Sequence, residues 1–199
     1  MEEIRDDTGI RILAAAEALA REGGLASLSM RSIALRVGLS APAAYRHFTS
    51  KEALVKAMIG RGQERFLLGL QAARQGADSP ESLLERSLRY YLCFWLDDPL
   101  ALEFLAEHAW RDGGLSGASI AEGSFGDLPE LVVAMLGKGI AALEAERAGR
   151  WLAASLYGLA LSLAGDGSLG RSERAALVES ALSFGMGALR ELRARGITL

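Results

Sequence analysis

Between Ser29 and Arg61 the chain places six cations, Arg31, Arg36, Arg46, Lys51, Lys56 and Arg61, against one acid, Glu52. The whole chain is acidic, with a net charge of −3, and residues 62–199 hold thirteen Lys/Arg against eighteen Asp/Glu. A local basic stretch on an acidic protein suits phosphate binding by one face and argues against indiscriminate nucleic-acid binding. Charge alone equally fits a solvated face with no partner, so the spacing of the intervening residues has to decide. A second group of chemically useful residues is aromatic: Tyr90, Tyr91, Phe94, Trp95, Phe104 and Trp110, with Cys93 and His108 among them. Such residues can line a pocket for an apolar or aromatic compound, or, at spacings of three and four, simply pack a core. His108 fits a hydrogen-bonded structural histidine as well as a ligand contact, and Cys93, set between Leu92 and Phe94, is expected to be buried and unreactive.

Catalysis finds little support. The chain has two histidines and one cysteine, with no Gly-x-Ser-x-Gly, no phosphate-cradling glycine motif and no His-Glu-x-x-His spacing. No enzyme, cofactor or metal site is expected. The uncharged run from Trp151 to Gly165 is shorter than the roughly 20 residues a bilayer span needs and reads as a helix buried in protein. The acidic N-terminus lacks a secretory pattern, and a single cysteine excludes an internal disulfide framework. A cytoplasmic protein is expected.

The elements that would position these residues are helical. Ile10, Leu13, Ala14, Ala18 and Leu19 mark the apolar face of a first helix, which Gly23-Gly24 ends. Ser29 caps a second helix with Met30, Ile33, Ala34 and Val37 on one face, and Gly38 stops it. Ser40 caps a short third helix with Pro42 in its first turn. Thr49 and Glu52 have capping-box spacing for a fourth helix through Leu54, Ala57, Met58, Phe66 and Leu70 to about Arg74. Ser79-Pro80 starts a helix through Leu84, Leu88, Tyr91, Leu92 and Trp95. After Asp97-Asp98-Pro99 another helix is expected to about Arg111, then a glycine-rich loop over Asp112–Asp127. Helices over Leu128–Glu146, Arg150–Ala164 and Ser172–Arg195 complete an all-α chain of about nine helices. A three-helix helix-turn-helix domain over residues 6–66 is joined to a helical bundle over 67–199.

Ser29–Lys51 carries the functional signal. Two short helices separated by Gly38-Leu39 match a helix-turn-helix, whose second helix enters a major groove. Leu28-Ser29-Met30-Arg31-Ser32-Ile33-Ala34, Val37-Gly38-Leu39-Ser40, Ala44-Tyr45-Arg46-His47-Phe48 and Ser50-Lys51-Glu52-Ala53-Leu54 together resemble, in order and spacing, the signature of the TetR/AcrR family of bacterial regulators. The resemblance covers roughly residues 6–66. It implies phosphate contacts from Tyr45 and Lys51, with further backbone contacts from Ser29, Arg31, His47 and Thr49. Base reading would fall to Ser40, Ala41, Ala43, Ala44 and Arg46. Where the family often has Gly-Thr ahead of the residue preceding tyrosine, this chain has Pro42-Ala43, so a hydroxyl is absent and the operator is not readable.

The same resemblance implies a ligand-responsive repressor that binds a palindromic operator as a homodimer. The small residues Ala154, Gly158, Ala181, Gly185 and Ala188 on the two late helices could let two subunits form a four-helix interface, or serve packing within one chain. Tyr91, Phe94, Trp95, Phe104, His108 and Trp110 are the candidate effector contacts. The alternative is a helical ligand-binding or adaptor protein without specific DNA binding.

Overall fold

The computed structural model describes residues 7–98, 100, 127–137, 142–165 and 170–195. Eight α-helices, one 3₁₀ turn and no strand occur among them, the all-α architecture expected. They are α1 (Asp7–Gly23), η1 (Leu25–Ser27), α2 (Met30–Arg36), α3 (Ala41–His47), α4 (Lys51–Arg74), α5 (Pro80–Asp97), α6 (Leu128–Leu136), α7 (Ala142–Gly165) and α8 (Arg171–Arg195). The chain divides into two compact units, Met1–Arg65 and Phe66–Leu199, and α4 contributes to both. The helix expected to run to about Arg111 and most of the loop expected over Asp112–Asp127 lie outside the described residues.

In the first unit α1 buries Ile12, Ala15, Ala16 and Ala20, and leaves Ile10 48% exposed. The buried face is therefore rotated from the one the Ile10, Leu13, Ala14, Ala18, Leu19 pattern indicates. Alanines occupy several sides of this helix, so two apolar faces compete; the face carrying Ile12, which is fully buried, is the one that packs inward. Met30, Ile33 and Ala34 of α2 and Leu54 and Met58 of α4 are buried as their spacing indicates, whereas Val37 and Ala57 are half-buried; Phe48, in the link between α3 and α4, is buried. Each such aliphatic side chain contributes roughly 1.5–3 kcal/mol by leaving water.

The cap of α4 differs from the expected Thr49/Glu52 box. The helix begins at Lys51, and the Ala53 amide donates to Ser50 Oγ at 3.1 Å. The hydroxyl one residue later thus satisfies an amide of the first turn, as an N-cap must. At the other end Arg86 Nη1 donates to the Gln75 carbonyl at 3.0 Å, holding the chain just past α4.

The second unit packs α5, α6, α7 and α8 around one core. Leu84, Leu88, Tyr91, Leu92 and Trp95 of α5 meet Leu128, Val132 and Met135 of α6, Leu152, Leu156 and Ala160 of α7, and Val178, Leu182 and Met186 of α8. The expected Leu128–Glu146 helix is interrupted: α6 closes at Gly137, whose φ of 80° is the left-handed conformation glycine tolerates, and α7 starts at Ala142. The stretch from Trp151 to Gly165 is helical, yet it is not buried all round, because Trp151 is 53% and Leu161 41% exposed. No helix among the described residues is long and apolar enough to cross a membrane.

Candidate nucleic-acid interface and the helical body

The turn between α2 and α3 is built by local hydrogen bonds. Ser29 Oγ accepts from the Ser32 amide at 3.0 Å, while the Ser29 amide donates to Ser32 Oγ at 3.2 Å, a capping box made by two serines. At the far end the Leu39 amide donates to the Ala34 carbonyl at 2.8 Å and the Gly38 amide to the Leu35 carbonyl at 3.1 Å. With Gly38 at φ 74° this is a Schellman stop, which turns the chain sharply enough for a second helix to start at once. Ser40 Oγ then accepts from the Ala43 amide at 3.3 Å. Arg11 Nη2 adds a bond to the Val37 carbonyl at 3.1 Å, tying α1 to the end of α2.

On this frame Tyr45 is 48% exposed, and Arg46, Ser29, Arg31, Ser40 and Thr49 are exposed as well. Ala41, Ala43 and His47 are half-buried. Ala44 departs from its expected role in reading bases: it is fully buried and packs inside the unit, so its methyl cannot reach a groove. Its amide and carbonyl are also committed, to Ser40 and Phe48. Lys51 is half-buried and its Nζ donates to the Leu25 carbonyl at 3.3 Å, which fixes the ammonium near the start of α4 with donors to spare for an anion.

Not all six cations of this stretch are available. Arg36 forms a bidentate pair with Glu22, at 2.9 and 2.5 Å. That hydrogen bond and the adjacent charge hold the exposed Glu22 carboxyl below its usual range. Arg61 lies beside Glu17. The exposed guanidiniums of Arg31 and Arg46 therefore carry more of the positive face than the raw count implies. Sequence spacing did not disclose Arg11 or the Lys51–Leu25 bond, since both join residues far apart in the chain.

In the second unit Phe66 is the hub of the aromatic set. Its ring centroid lies 5.4 Å from Tyr91 and 5.8 Å from Trp95, both near-parallel, and 5.0 Å from Phe94, edge-on. Tyr91 is fully buried and Trp95 is 5% exposed, while Phe94 is half-buried. Phe104, His108 and Trp110 lie outside the described residues. A polar network adjoins the rings. Arg74 donates to Asp127 at 2.5 and 2.9 Å and to Ser87 Oγ at 2.8 Å, and the Tyr91 hydroxyl donates to Asp127 at 3.2 Å. Burial pushes the Asp127 carboxyl up, but the Arg74 guanidinium and the Tyr91 hydroxyl outweigh it and leave the carboxyl below its ordinary value. Burial, reinforced by Asp127, pushes the Tyr91 phenol well above its usual range. The Trp95 indole N–H is buried with no hydrogen-bond partner among the described residues.

Cys93 is exposed rather than buried. Partial desolvation and the charge of Asp97 nonetheless push its thiol up, so its thiolate fraction stays low.

Of the small residues on the late helices, Ala154 and Gly158 are exposed, and Ala181 and Ala188 are half-buried. Gly185 is buried inside the chain: a Cβ there would lie 3.3 Å from Leu152 Cδ1. It serves contact between α7 and α8 and is no part of a free surface.

A capped helix, a Schellman turn and a short second helix bearing exposed Tyr45 and Arg46, ahead of a separate all-helical unit, define a helix-turn-helix protein. Residues 12–58 match the family described as bacterial regulatory proteins, tetR family. The chain is 37% identical over 78 residues to the HTH-type transcriptional regulator UidR of Escherichia coli (strain K12), a match covering 39% of this chain and 40% of that relative. Solved structures extend the likeness along the chain. A TetR-like transcriptional regulator from Rhodococcus sp. RHA1 is 24% identical with a TM-score of 0.67, covering 94% of this chain and 99% of that one. The fatty acid degradation regulator FadR from Bacillus halodurans is 18% identical with a TM-score of 0.73 over the same shares. The ketosteroid transcriptional regulator KstR2 of Mycobacterium tuberculosis is 16% identical with a TM-score of 0.68, covering 94% and 96%. The family match is thus confined to residues 12–58, the chain spans about 40% of the length of the curated relative it matches, and the chain as a whole shares the fold of these solved structures.

Proposed function

We propose that the protein is a DNA-binding transcriptional regulator that reads a two-fold operator as a homodimer and answers to a small apolar or aromatic effector. The observation that carries this reading is the α2–α3 unit, whose second helix presents Tyr45 and Arg46 beside the Lys51 ammonium. Tyr45 and Lys51 hold phosphates, with Ser29, Arg31, His47 and Thr49 as further backbone contacts. Arg46, Ser40, Ala41 and Ala43 face the bases, where Arg46 can bind guanine O6 and N7.

One such unit reads only a few base pairs, so a two-fold pair is needed for a palindrome. The late helices offer a surface for it. On α7 Trp151, Ala154, Gly158 and Leu161 fall on one exposed face; on α8 Leu177, Ser180, Phe184 and Gly187 do the same. Leu152 of α7 lies against Gly185 of α8, so the two helices touch near their middles. Trp151 and Leu161 on α7 and Leu177 and Phe184 on α8 supply the large side chains of these faces. Large and small residues alternate there, so the face can interlock with a copy of itself. The effector reading rests on Phe66, Tyr91, Phe94 and Trp95, with the Trp95 N–H, unpaired among the described residues, supplying a donor to orient a ligand. Repression follows if the free dimer is the DNA-binding state and the effector binds the other state more tightly.

Sequencing the DNA retained by the purified protein from fragmented genomic DNA tests the central claim. A recurring palindrome is the expected result, with Tyr45→Ala and Arg46→Ala each abolishing its enrichment. A protein that enriches no sequence would favour the adaptor reading.

A further inference from the structure

Helix α4 has two interior glycines, Gly60 and Gly62, where packing does not require them: a Cβ added at either meets nothing within 4 Å. Each glycine lowers the helix–coil ratio by about fivefold relative to alanine. The turn holding both is thus the least self-supporting part of α4. It is held from outside by charge. Glu17 on α1 is 6% exposed, and its carboxylate oxygens lie 3.8 Å from Arg61 Nε, 3.7 Å from Arg65 Nη1 and 3.8 Å from Arg21 Nη1. Those separations exceed hydrogen-bond lengths, and Glu17 Oε1 and Arg61 Nη1 are both buried without a hydrogen-bond partner among the described residues. The hold is electrostatic and adjustable, unlike the directional bidentate pair that Arg36 makes with Glu22. A buried carboxylate stripped of its cations is strongly unfavourable, so the clasp favours the closed arrangement without locking it.

We propose that Glu17 is a positioning residue that clasps α4 through Arg61 and Arg65 and keeps a soft joint at Gly60–Gly62 straight. Opening the clasp lets α4 bend at the glycines and dilutes the arrangement of the two reading heads that a two-fold operator selects. The operator part of this claim rests on the DNA-binding reading above; the joint itself does not.

The test is amide hydrogen exchange on the full-length protein together with operator binding. In Glu17→Gln, exchange across residues 58–66 is expected to be at least about tenfold faster, with α2, α3 and α5 changed by less than about twofold. Operator affinity is expected to fall by about tenfold at fixed salt. Adding Gly60→Ala and Gly62→Ala to Glu17→Gln is expected to bring both quantities back to within about threefold of the wild type. Unchanged exchange at 58–66, acceleration spread evenly over the unit, or failure of the alanines to restore protection each overturns the proposal. Should Glu17→Gln not fold, Gly60→Ala/Gly62→Ala in the wild type decides: exchange there slows by at least about threefold, or the joint does not exist. If wild-type protein selects no DNA while the exchange results hold, the DNA-binding reading fails and the joint stands.

Discussion

Replacing Gly69 with alanine pits two effects of opposite sign against each other in the second unit. An added Cβ would lie 2.1 Å from the Tyr90 hydroxyl oxygen, 2.6 Å from its Cζ and 2.8 Å from its Cε2. Because ring atoms are among these contacts, no rotation of the hydroxyl relieves them; the ring's hydroxyl end has to retreat by about 1.3 Å to reach ordinary van der Waals separation. The Tyr90 ring is 5.5 Å from Phe66 and 5.8 Å from Phe94, so its retreat disturbs the aromatic hub. Overpacking of this kind costs about 1–3 kcal/mol, and each disturbed ring pair forfeits up to about 1 kcal/mol more. Against this, alanine in place of a helical glycine stabilises by about 1 kcal/mol. Destabilisation wins, by about 1–2 kcal/mol.

Urea unfolding followed by tryptophan fluorescence measures it, since Trp95, Trp110 and Trp151 all lie in the second unit. Gly69→Ala should lower the midpoint. In the Tyr90→Ala background the same substitution should become neutral or stabilising, giving a coupling of at least about 1 kcal/mol. A Gly69→Ala protein more stable than the wild type would show that helix propensity dominates and that the ring makes room at no cost.

Three further outcomes follow from the same contacts. The Asp127 carboxyl titrates below its unfolded value, so its contribution is complete above about pH 4 and is lost as pH falls through the lower folded value; Asp127→Asn should unfold at a lower urea concentration at pH 7 and lose less than the wild type on acidification. Gly38→Ala places a Cβ on a residue at φ 74° and should lower the melting temperature by the equivalent of about 1–2 kcal/mol, with Gly38→Asn intermediate. Phe184 is 74% exposed, and Phe184→Glu should weaken self-association by at least about tenfold in sedimentation equilibrium while leaving circular dichroism unchanged.

Much of the head is legible because its determinants are local. Ser29, Gly38 and Ser40 act within four residues of themselves, and Leu54 and Met58 repeat at helical spacing, so pattern and structure coincide. Where the reading of α1 differs, the cause is composition: a helix rich in alanine offers several nearly equivalent faces, and the choice is made by partners outside it. The first cap of α4 differs for a similar reason, since Thr49, Ser50 and Glu52 are all acceptable capping residues and only the entry path of the chain selects Ser50. Ala44 reads as a groove contact by position in the motif, yet a seven-residue helix must still bury one side, and Ala44 lies on it. Cys93 is misjudged from apolar neighbours because adjacent residues on a helix point in different directions.

The feature least accessible to pattern is Glu17. An acid on an alanine-rich helix ordinarily faces water, and nothing near it in sequence marks it as buried. Its partners Arg61 and Arg65 lie on a helix that starts more than thirty residues later. In a count of charges Arg61 reads as part of a phosphate-binding face, whereas in the structure it is engaged with a buried carboxylate. The two roles make opposite demands on ionic strength. Phosphate contacts release counterions, so affinity falls steeply with salt, while a mostly buried carboxylate is shielded from mobile ions. Neutralising Arg61 should therefore lower operator affinity with little change in salt slope, whereas neutralising Lys51 should reduce that slope by about one. The slope separates a cation that touches DNA from one that holds the helix touching it.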